Sequence, residues 1–508
     1  MFAALQSIGL FGIDSYMIKV EADVSSGLPA FDVVGLPDAA VKESRDRVRA
    51  AIKNSGFKFP TGRITINLAP ADKKKEGSLY DLPILVSILM ASEQLKADIS
   101  DSVFIGEVSL DGKIRSVGGV LAMAITARQN NIKNIFVPID NALEGAVVDG
   151  INVYGVEDVR ALIDHLQNER PLKITNRPET LANNSIKAVD FSDVRGQVTA
   201  KKALEVAAAG GHNVLLIGPP GSGKSMLATR LPTILPEMTF DESIETTKIH
   251  SIAGMLDRNH PLITERPFRS PHHTITTAGL SGGGTVPRPG EISLSHNGVL
   301  FLDELPEFNR STMEAMRQPL ESGSVTVSRA AGSVTYPSDF MLVAAMNPCP
   351  CGFFGHPTRS CSCSSNAVSR YLNRISGPLL DRLDIHVEVP PVDYNALSDA
   401  KPAESSERIR ERVNKARRLQ IERYKGSGIT CNARLTPSML REYCVMTEEA
   451  SEYLSACFDK LGLSARAFDR ILKVARTIAD LAGEEKIGKA QIFSAIRFRS
   501  LDRKYWGE

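Results

Sequence analysis

The order of apolar and polar positions divides the chain into three differently patterned stretches. In the first, residues 16–23 alternate apolar and polar side chains, the period of a half-buried strand. Residues 37–55 change to helical spacing, with Ala40, Val41, Val48 and Ile52 on one face. A strand follows at 64–68. Residues 81–95 (DLPILVSILMASEQL) predict an apolar helix that tolerates Pro83 in its first turn. Residues 103–110 and 113–117, joined by Asp111 and Gly112, predict a hairpin. A helix at 121–130 and a strand at 134–137 complete this stretch. Residues 166–190 then lose all periodicity and carry Pro171 and Pro178, the strongest boundary signal in the chain.

The second stretch has continuous apolar runs in place of alternation. A helix at 200–209 ends at Gly210 and Gly211, and 213–217 (NVLLI) reads as a buried parallel strand. Similar runs occur at 299–302 and 341–346. Short alternating strands at 325–327 and 333–336 predict a hairpin over 322–336. The third stretch is helical throughout, at 404–425, 437–443, 447–461, 464–482 and 488–496. Helix 404–425 is dense in arginine, with a thin apolar stripe of Ile409, Val413, Ala416, Leu419 and Ile421. Its basic face fits either a DNA path or a solvated surface. The expected organisation is an α/β chain. An α+β domain spans 1–165, a linker 166–189, an α/β core 190–392 and an α-helical lid 393–508.

Composition narrows the class. The chain has 508 residues, more than one core accommodates, and its 43% hydrophobic and 23% charged content is that of a soluble globular protein. No apolar run has the length of a membrane span, and the first residues lack a basic leader, so a cytoplasmic location without membrane contact is expected. The net charge of +1 excludes a polycation; any nucleic-acid contact comes from a local patch.

The chemistry concentrates at 218–225, GPPGSGKS, between the buried strand and the start of a helix. The loop of Gly218, Pro219, Pro220, Gly221, Ser222 and Gly223 wraps a phosphate, its glycines letting backbone N–H groups turn inward where a Cβ would block the approach. Lys224 reaches the β- and γ-phosphates of ATP, and Ser225 holds Mg²⁺. The strand at 299–302 ends in Asp303, suited to the Mg²⁺ shell, and Glu304, suited to polarising the attacking water. The third strand ends at Asn347, whose amide suits positioning that water.

These three strand ends together resemble the AAA+ ATPases. The long insert at 240–294 and the hairpin at 322–336 resemble the clade of magnesium chelatase ATPase subunits and MCM helicases. There, a hairpin ahead of the sensor strand lines the pore of a ring. The resemblance implies DNA contact by Arg329 at the hairpin tip, with a solvated loop arginine as the alternative. It implies an arginine finger at Arg382, with Arg374 as second candidate, acting on ATP held by a neighbouring subunit. It implies a second sensor at Arg466, with Arg470 as runner-up.

Four of the seven cysteines, Cys349, Cys351, Cys361 and Cys363, fall within fifteen positions. Four thiolates complete a tetrahedral structural Zn²⁺ site; His356 could replace one ligand, and four reduced thiols are the alternative. Cys431, Cys444 and Cys457 are scattered and read as packing.

In the first stretch, the segment order and the run at 106–138 resemble the proteolytic domain of Lon protease. Aligning the glycines puts Leu79 at that family's serine, and Val120 and Leu121 follow Gly118 and Gly119 where its lysine belongs. Ser78 is one position off, without a base in sequence reach. A Lon-like fold without protease chemistry is therefore expected. Lys73, Lys74 and Lys75 read as a solvated charge run, with phosphate contact as the alternative.

Over nearly its whole length the chain resembles the bacterial YifB/ComM family. The phrases at 28–52, 269–274 (RSPHHT), 287–308 and 347–355 (NPCPCGFFG) carry the match. That resemblance implies a homohexameric, ATP-driven motor on single-stranded and branched DNA, with branch migration during natural transformation. Two alternatives are a magnesium-chelatase motor subunit and a ring that remodels protein. The Lon-like domain speaks against the first.

Overall fold

The computed structural model describes residues 1–177, 189–284, 287–329, 332–391 and 403–506. Residues 178–188 of the expected linker and the start of the expected lid, like residues 330 and 331 of the hairpin, lie outside the described residues.

A seven-stranded mixed sheet organises the N-terminal region. Its strands run in the order Ala30–Val34, Arg63–Ala69, Asp14–Ser25, Phe2–Phe11, Ser102–Phe104, Asn134–Pro138, Asn152–Val156. The sequence expectation started the sheet at residue 16. The structure starts it at Phe2, because Phe2–Phe11 forms a long antiparallel ladder with Asp14–Ser25. The expected hairpin from 103 is split. Ser102–Phe104 joins the large sheet in parallel, and Glu107–Val108 alone pairs with Ile114–Arg115. Helix Ala39–Asn54 is capped by Asp38, whose carboxylate accepts from the Val41 amide at 2.8 Å. Helix Asp81–Ala91 is buried on almost every face. It stops short of residue 95 because Glu93 takes a left-handed φ of 59°.

One expectation about this region fails for a tertiary reason, and one residue gains a partner that is distant in sequence. Lys75 is fully buried, not solvated; its ammonium donates to the carbonyls of Pro70 and, at 2.7 Å, Lys73. Ser78 does have a carboxylate within reach, donating to Glu107, because the short hairpin brings Glu107 back over it. Leu79 and Leu121 are both buried in the apolar core.

The second region is a five-stranded, all-parallel sheet ordered Phe268–Arg269, Val299–Leu302, Met341–Met346, Val214–Ile217, Ile385–Glu388. Every residue of the three middle strands is buried, as apolar runs covered by helices on both faces should be. Helix Val198–Gly210 ends where Gly211 takes φ +72°. Hairpin strands Ser324–Arg329 and Gly332–Pro337 pair in register beside this sheet.

The C-terminal helices are Ser406–Arg423, Pro437–Tyr443, Glu448–Leu461, Ala465–Ala482, Lys489–Arg497 and an unexpected Leu501–Trp506. In Ser406–Arg423 the buried face runs Ile409, Val413, Ala416, Gln420. This spacing leaves Leu419 and Ile421 exposed and puts Gln420 inside, where it accepts from the Asn432 amide at 3.1 Å. Its arginines are partly inward. Arg412 pairs with Glu205 at 2.6 Å, Arg417 donates to the carbonyls of Ala208 and Ala209, and Arg423 pairs with the fully buried Asp480 at 2.6 Å. No helix among the described residues is long and apolar enough to cross a membrane.

Among the described residues, the two regions meet at several places, two of which involve the elements above. Helix Phe240–Ile252 ends against Gly119, whose amide donates to Ser251 Oγ at 2.7 Å. Ser251 donates in turn to the buried Glu144 at 2.5 Å. Elsewhere the turn at Phe11 and Gly12 packs on Gly332 and Val334 of the hairpin.

Candidate active site

The phosphate loop lies at the C-terminal end of the strand Val214–Ile217, next to the central strand Met341–Met346, where open parallel sheets bind their ligands. Gly221 and Gly223 take φ of +75° and +91°, so the loop needs glycine at both positions. Gly221 has open space where a Cβ would sit, and Lys224 opens helix Lys224–Arg230. The Lys224 ammonium donates to the carbonyls of Gly218 at 2.8 Å and Pro219 at 3.0 Å, and to Asn347 Oδ1 at 3.1 Å. Burial draws its pKa down, opposed by the nearby carboxylates of Asp303 and Glu304. Ser225 Oγ donates to Asp303 Oδ2 at 2.6 Å.

Glu304 follows the strand Val299–Leu302 and Asp303 in a left-handed conformation, φ +54°. A non-glycine residue held there costs on the order of 1–3 kcal/mol. The turn leaves the Glu304 carboxylate half exposed, while its amide donates to Asp303 Oδ1 at 2.9 Å. Thus Lys224, Ser225, Asp303 and Asn347 come together through direct contacts, with Glu304 beside them. Two further residues join that sequence reasoning did not single out. His273 Nδ1 lies 3.4 Å from the Glu304 carboxylate. The available signal was register: Arg269 pairs with Leu300, and the same offset brings 273 beside 304. Gln197, at φ +52°, donates to the carbonyls of Ser222 at 3.2 Å and Pro390 at 2.7 Å, which ties the loop to its neighbouring strand.

The hard oxygen donors of Ser225 and Asp303 fit Mg²⁺, and the ammonium of Lys224 on the glycine-containing loop fits a polyphosphate. Mg²⁺ held there would neutralise phosphate charge.

The remaining candidates lie elsewhere. Arg382 pairs with Glu321 and donates to the Pro378 carbonyl at 2.5 Å. Arg466 pairs with Asp381 at 3.2 Å; Arg470 reaches Asp381 at 3.5 Å and Asp384 at 3.8 Å. The segment around 381 thereby gathers Arg382, Arg466 and Arg470, while Arg374 pairs with Glu307 at 2.8 Å. Arg329 is exposed at the end of its hairpin strand, and its guanidinium donates to the Ser328 carbonyl at 2.9 Å.

The four clustered cysteines converge, their sulfurs all within 4.8 Å of one another. Such a set is compatible with a structural metal. Backbone N–H groups, that of Phe353 first, draw the Cys351 thiol down to about 5. The His356 ring nitrogen Nδ1 instead accepts from the amides of Thr358 at 3.2 Å and Arg359 at 3.0 Å. Cys431 and Cys444 are buried, and Cys457 is partly exposed.

Comparison with known proteins matches three family models. "Magnesium chelatase, subunit ChlI" covers residues 190–397, "Subunit ChlI of Mg-chelatase" covers 20–141, and "Magnesium chelatase, subunit ChlI C-terminal" covers 403–499. Competence protein ComM of Haemophilus influenzae is 44% identical over 99% of this chain and 98% of its own. Uncharacterized protein YifB of Escherichia coli is 44% identical over 97% of this chain and 96% of its own. An uncharacterized protein of Mycobacterium tuberculosis is 42% identical over 97% of each. A strand-end ATP site on a parallel five-stranded sheet and similarity along the whole length agree, and the chain belongs to the ComM/YifB family of magnesium-chelatase-like AAA+ proteins.

Proposed function

We propose that this protein is an ATP-hydrolysing, hexameric ring motor that acts on single-stranded and branched DNA, promoting branch migration when incoming DNA recombines. The ATPase part is carried by one observation: Lys224 bonded to Asn347 at 3.1 Å and Ser225 bonded to Asp303 at 2.6 Å, on three adjacent strand ends. The DNA part is supported by full-length similarity to a relative named for competence, and by the exposed Arg329 on the hairpin.

In this reading ATP lies between subunits. Lys224 and the loop amides hold its phosphates, Ser225 and Asp303 carry Mg²⁺, Glu304 takes the proton of the attacking water, and Asn347 orients it. Arg382 completes the site from the next subunit, in company with Arg466. Hydrolysis moves the hairpin, whose Arg329 grips phosphate by charge.

The test is ATP hydrolysis by the full chain without DNA, with a single strand, and with a four-way junction. Strong stimulation together with strand exchange at the junction is expected. Hydrolysis indifferent to every DNA would remove the DNA motor. It would favour a ring that remodels protein or a magnesium-chelatase-type motor subunit; the family-model match at 20–141 supports the latter, against the expectation drawn from the N-terminal region.

A further inference from the structure

The cysteine loop is seated on the ATP site. Cys349 stands two positions after Asn347, the residue that accepts from Lys224, and its side chain is fully buried. Gly352 lies against the phosphate loop, so closely that a Cβ there would come within 2.4 Å of Pro220 Cδ. Phe354 lies against the ring of Tyr505, 6.4 Å between centroids, on the C-terminal helix Leu501–Trp506. Lys504 of that helix approaches Gly355 and pairs at 2.7 Å with Glu388, the last residue of the strand beside Val214–Ile217. One loop therefore touches the phosphate loop, the strand end carrying Asn347 and the last helix.

Little regular structure holds this loop. No helix or strand runs through 349–363, and its few internal backbone bonds close short turns, Gly352 to Cys349 at 3.0 Å and His356 to Phe353 at 3.1 Å. The sulfurs are its convergence point. Cys349, Cys351 and Cys361 stand 3.4, 3.6 and 3.5 Å apart pairwise. A tetrahedron of thiolates at Zn–S of about 2.3 Å has edges of about 3.8 Å, so a single Zn²⁺ fits between them with little movement. Amide donors already address the sulfurs: Phe354 to Cys349 at 3.3 Å, Cys363 to Cys361 at 3.4 Å. Such donors support metal-bound thiolates. His356 is occupied by the amides of its own turn, so the ligand set is four cysteines.

We propose that the loop 349–363 is a zinc-dependent latch on the ATP site: one Zn²⁺ held by Cys349, Cys351, Cys361 and Cys363 keeps Gly352 against Pro220 and Asn347 against Lys224. Metal occupancy then sets nucleotide binding and turnover. This rests on the ATPase reading above and adds its regulation by metal.

The test uses the full chain. Metal content is measured, and Co²⁺ is exchanged in, whose thiolate charge-transfer absorption reports a four-sulfur tetrahedral site. Zinc is then stripped with a chelator and restored, while a fluorescent ATP analogue and ATP turnover are followed. One zinc per chain is expected, with nucleotide affinity and turnover falling at least tenfold on stripping and recovering on zinc addition. Cys361→Ser should behave like stripped protein, and Cys457→Ser like the wild type. Gly352→Ala separates latch from ligand: it should keep its zinc yet lose turnover, because the added methyl pushes the loop off Pro220. A chain without zinc that binds and turns over ATP normally would overturn the proposal, as would full affinity after stripping. A chain that binds zinc but never hydrolyses ATP would defeat the ATPase reading, and nucleotide affinity would still decide the latch.

Discussion

The N-terminal sheet and the ATPase sheet both carry charged side chains deep among apolar residues, yet they treat them in opposite ways. In the first, charges are closed off. Asp81, 1% exposed, accepts from Arg47 at 2.6 and 3.0 Å and from the Val108 amide at 3.3 Å. Glu144 is surrounded by donors from Ser251, the Leu121 amide and Asn141, and burial pushes its carboxyl above the ordinary range. In the second, the groups at the strand ends are held but left exchangeable. Lys224 rests on carbonyls of its own loop, Ser225 on Asp303, and the Glu304 carboxylate is 56% exposed on a strained turn. A buried charge whose every partner is internal is architecture. A positioned charge whose partners a ligand can replace, beside glycine amides, is chemistry.

The largest effect that tests this contrast lies in the open site. Glu304→Gln should bind ATP and fail to turn it over. Arg382→Ala should lose ~10³–10⁵ in rate, the range for arginine fingers in related nucleotide hydrolases. Mixed rings sharpen the point: Arg382→Ala keeps an intact base and Glu304→Gln an intact finger, so mixing the two should restore part of the hydrolysis. Brisk turnover by Glu304→Gln alone would show that the base is elsewhere. No recovery on mixing would mean Arg382 serves its own chain.

The closed side should respond in stability instead. Arg47→Ala leaves the Asp81 carboxylate buried without its cation, and breaking such a pair costs about 3–5 kcal/mol. The expected result is a clearly lower melting temperature for the N-terminal region, with ATP turnover per folded chain unchanged. Lys224→Ala should do the reverse, keeping the melting temperature and losing turnover. If Arg47→Ala abolished hydrolysis in protein still folded, the two regions would be chemically coupled and the contrast would fail.

How much of this was legible in the sequence depends on how locally each feature is encoded. The loop at 218–225 is contiguous, and its glycines and lysine stand at fixed spacing between a strand and a helix, so it can be read from a line of text. Asp303, Glu304 and Asn347 follow apolar runs and are nearly as visible. His273 is not: only the pairing of Phe268–Arg269 with Val299–Leu302 brings it to Glu304. Strand Phe2–Phe11 was missed because a ladder to Asp14–Ser25 defines it. Lys75 and Gln420 are buried polar groups that bond to backbone partners, Lys75 through its ammonium and Gln420 through its Oε1, which composition cannot foresee. The roles proposed for Arg382, Arg466 and Arg329 need a neighbouring subunit or DNA, and within one chain Arg382 pairs with Glu321, Arg466 with Asp381, and Arg329 with the Ser328 carbonyl.

The smallest effect concerns the seam between the two regions. His250 lies in helix Phe240–Ile252, next to Ser251, which reaches across to Gly119 and Glu144. It is buried, and its Nε2 donates to the Leu294 carbonyl at 2.9 Å. Burial lowers its pKa; the Leu294 bond opposes this, Arg269 adds to it, and Glu291 opposes it. With the folded pKa below the unfolded value near 6.5, the unfolded chain takes the proton first as pH falls. The contribution of His250 is therefore complete above about pH 6.5 and is lost as pH falls through the lowered folded value. His250→Gln keeps an amide donor near the position of Nε2 and does not titrate. Melting curves from pH 8 to pH 5 should show the wild type losing stability relative to His250→Gln in the acid half, with the two parallel above neutrality. Curves that stay parallel throughout would mean the seam holds no titrating histidine, and the closed side of the molecule would then extend through the joint itself.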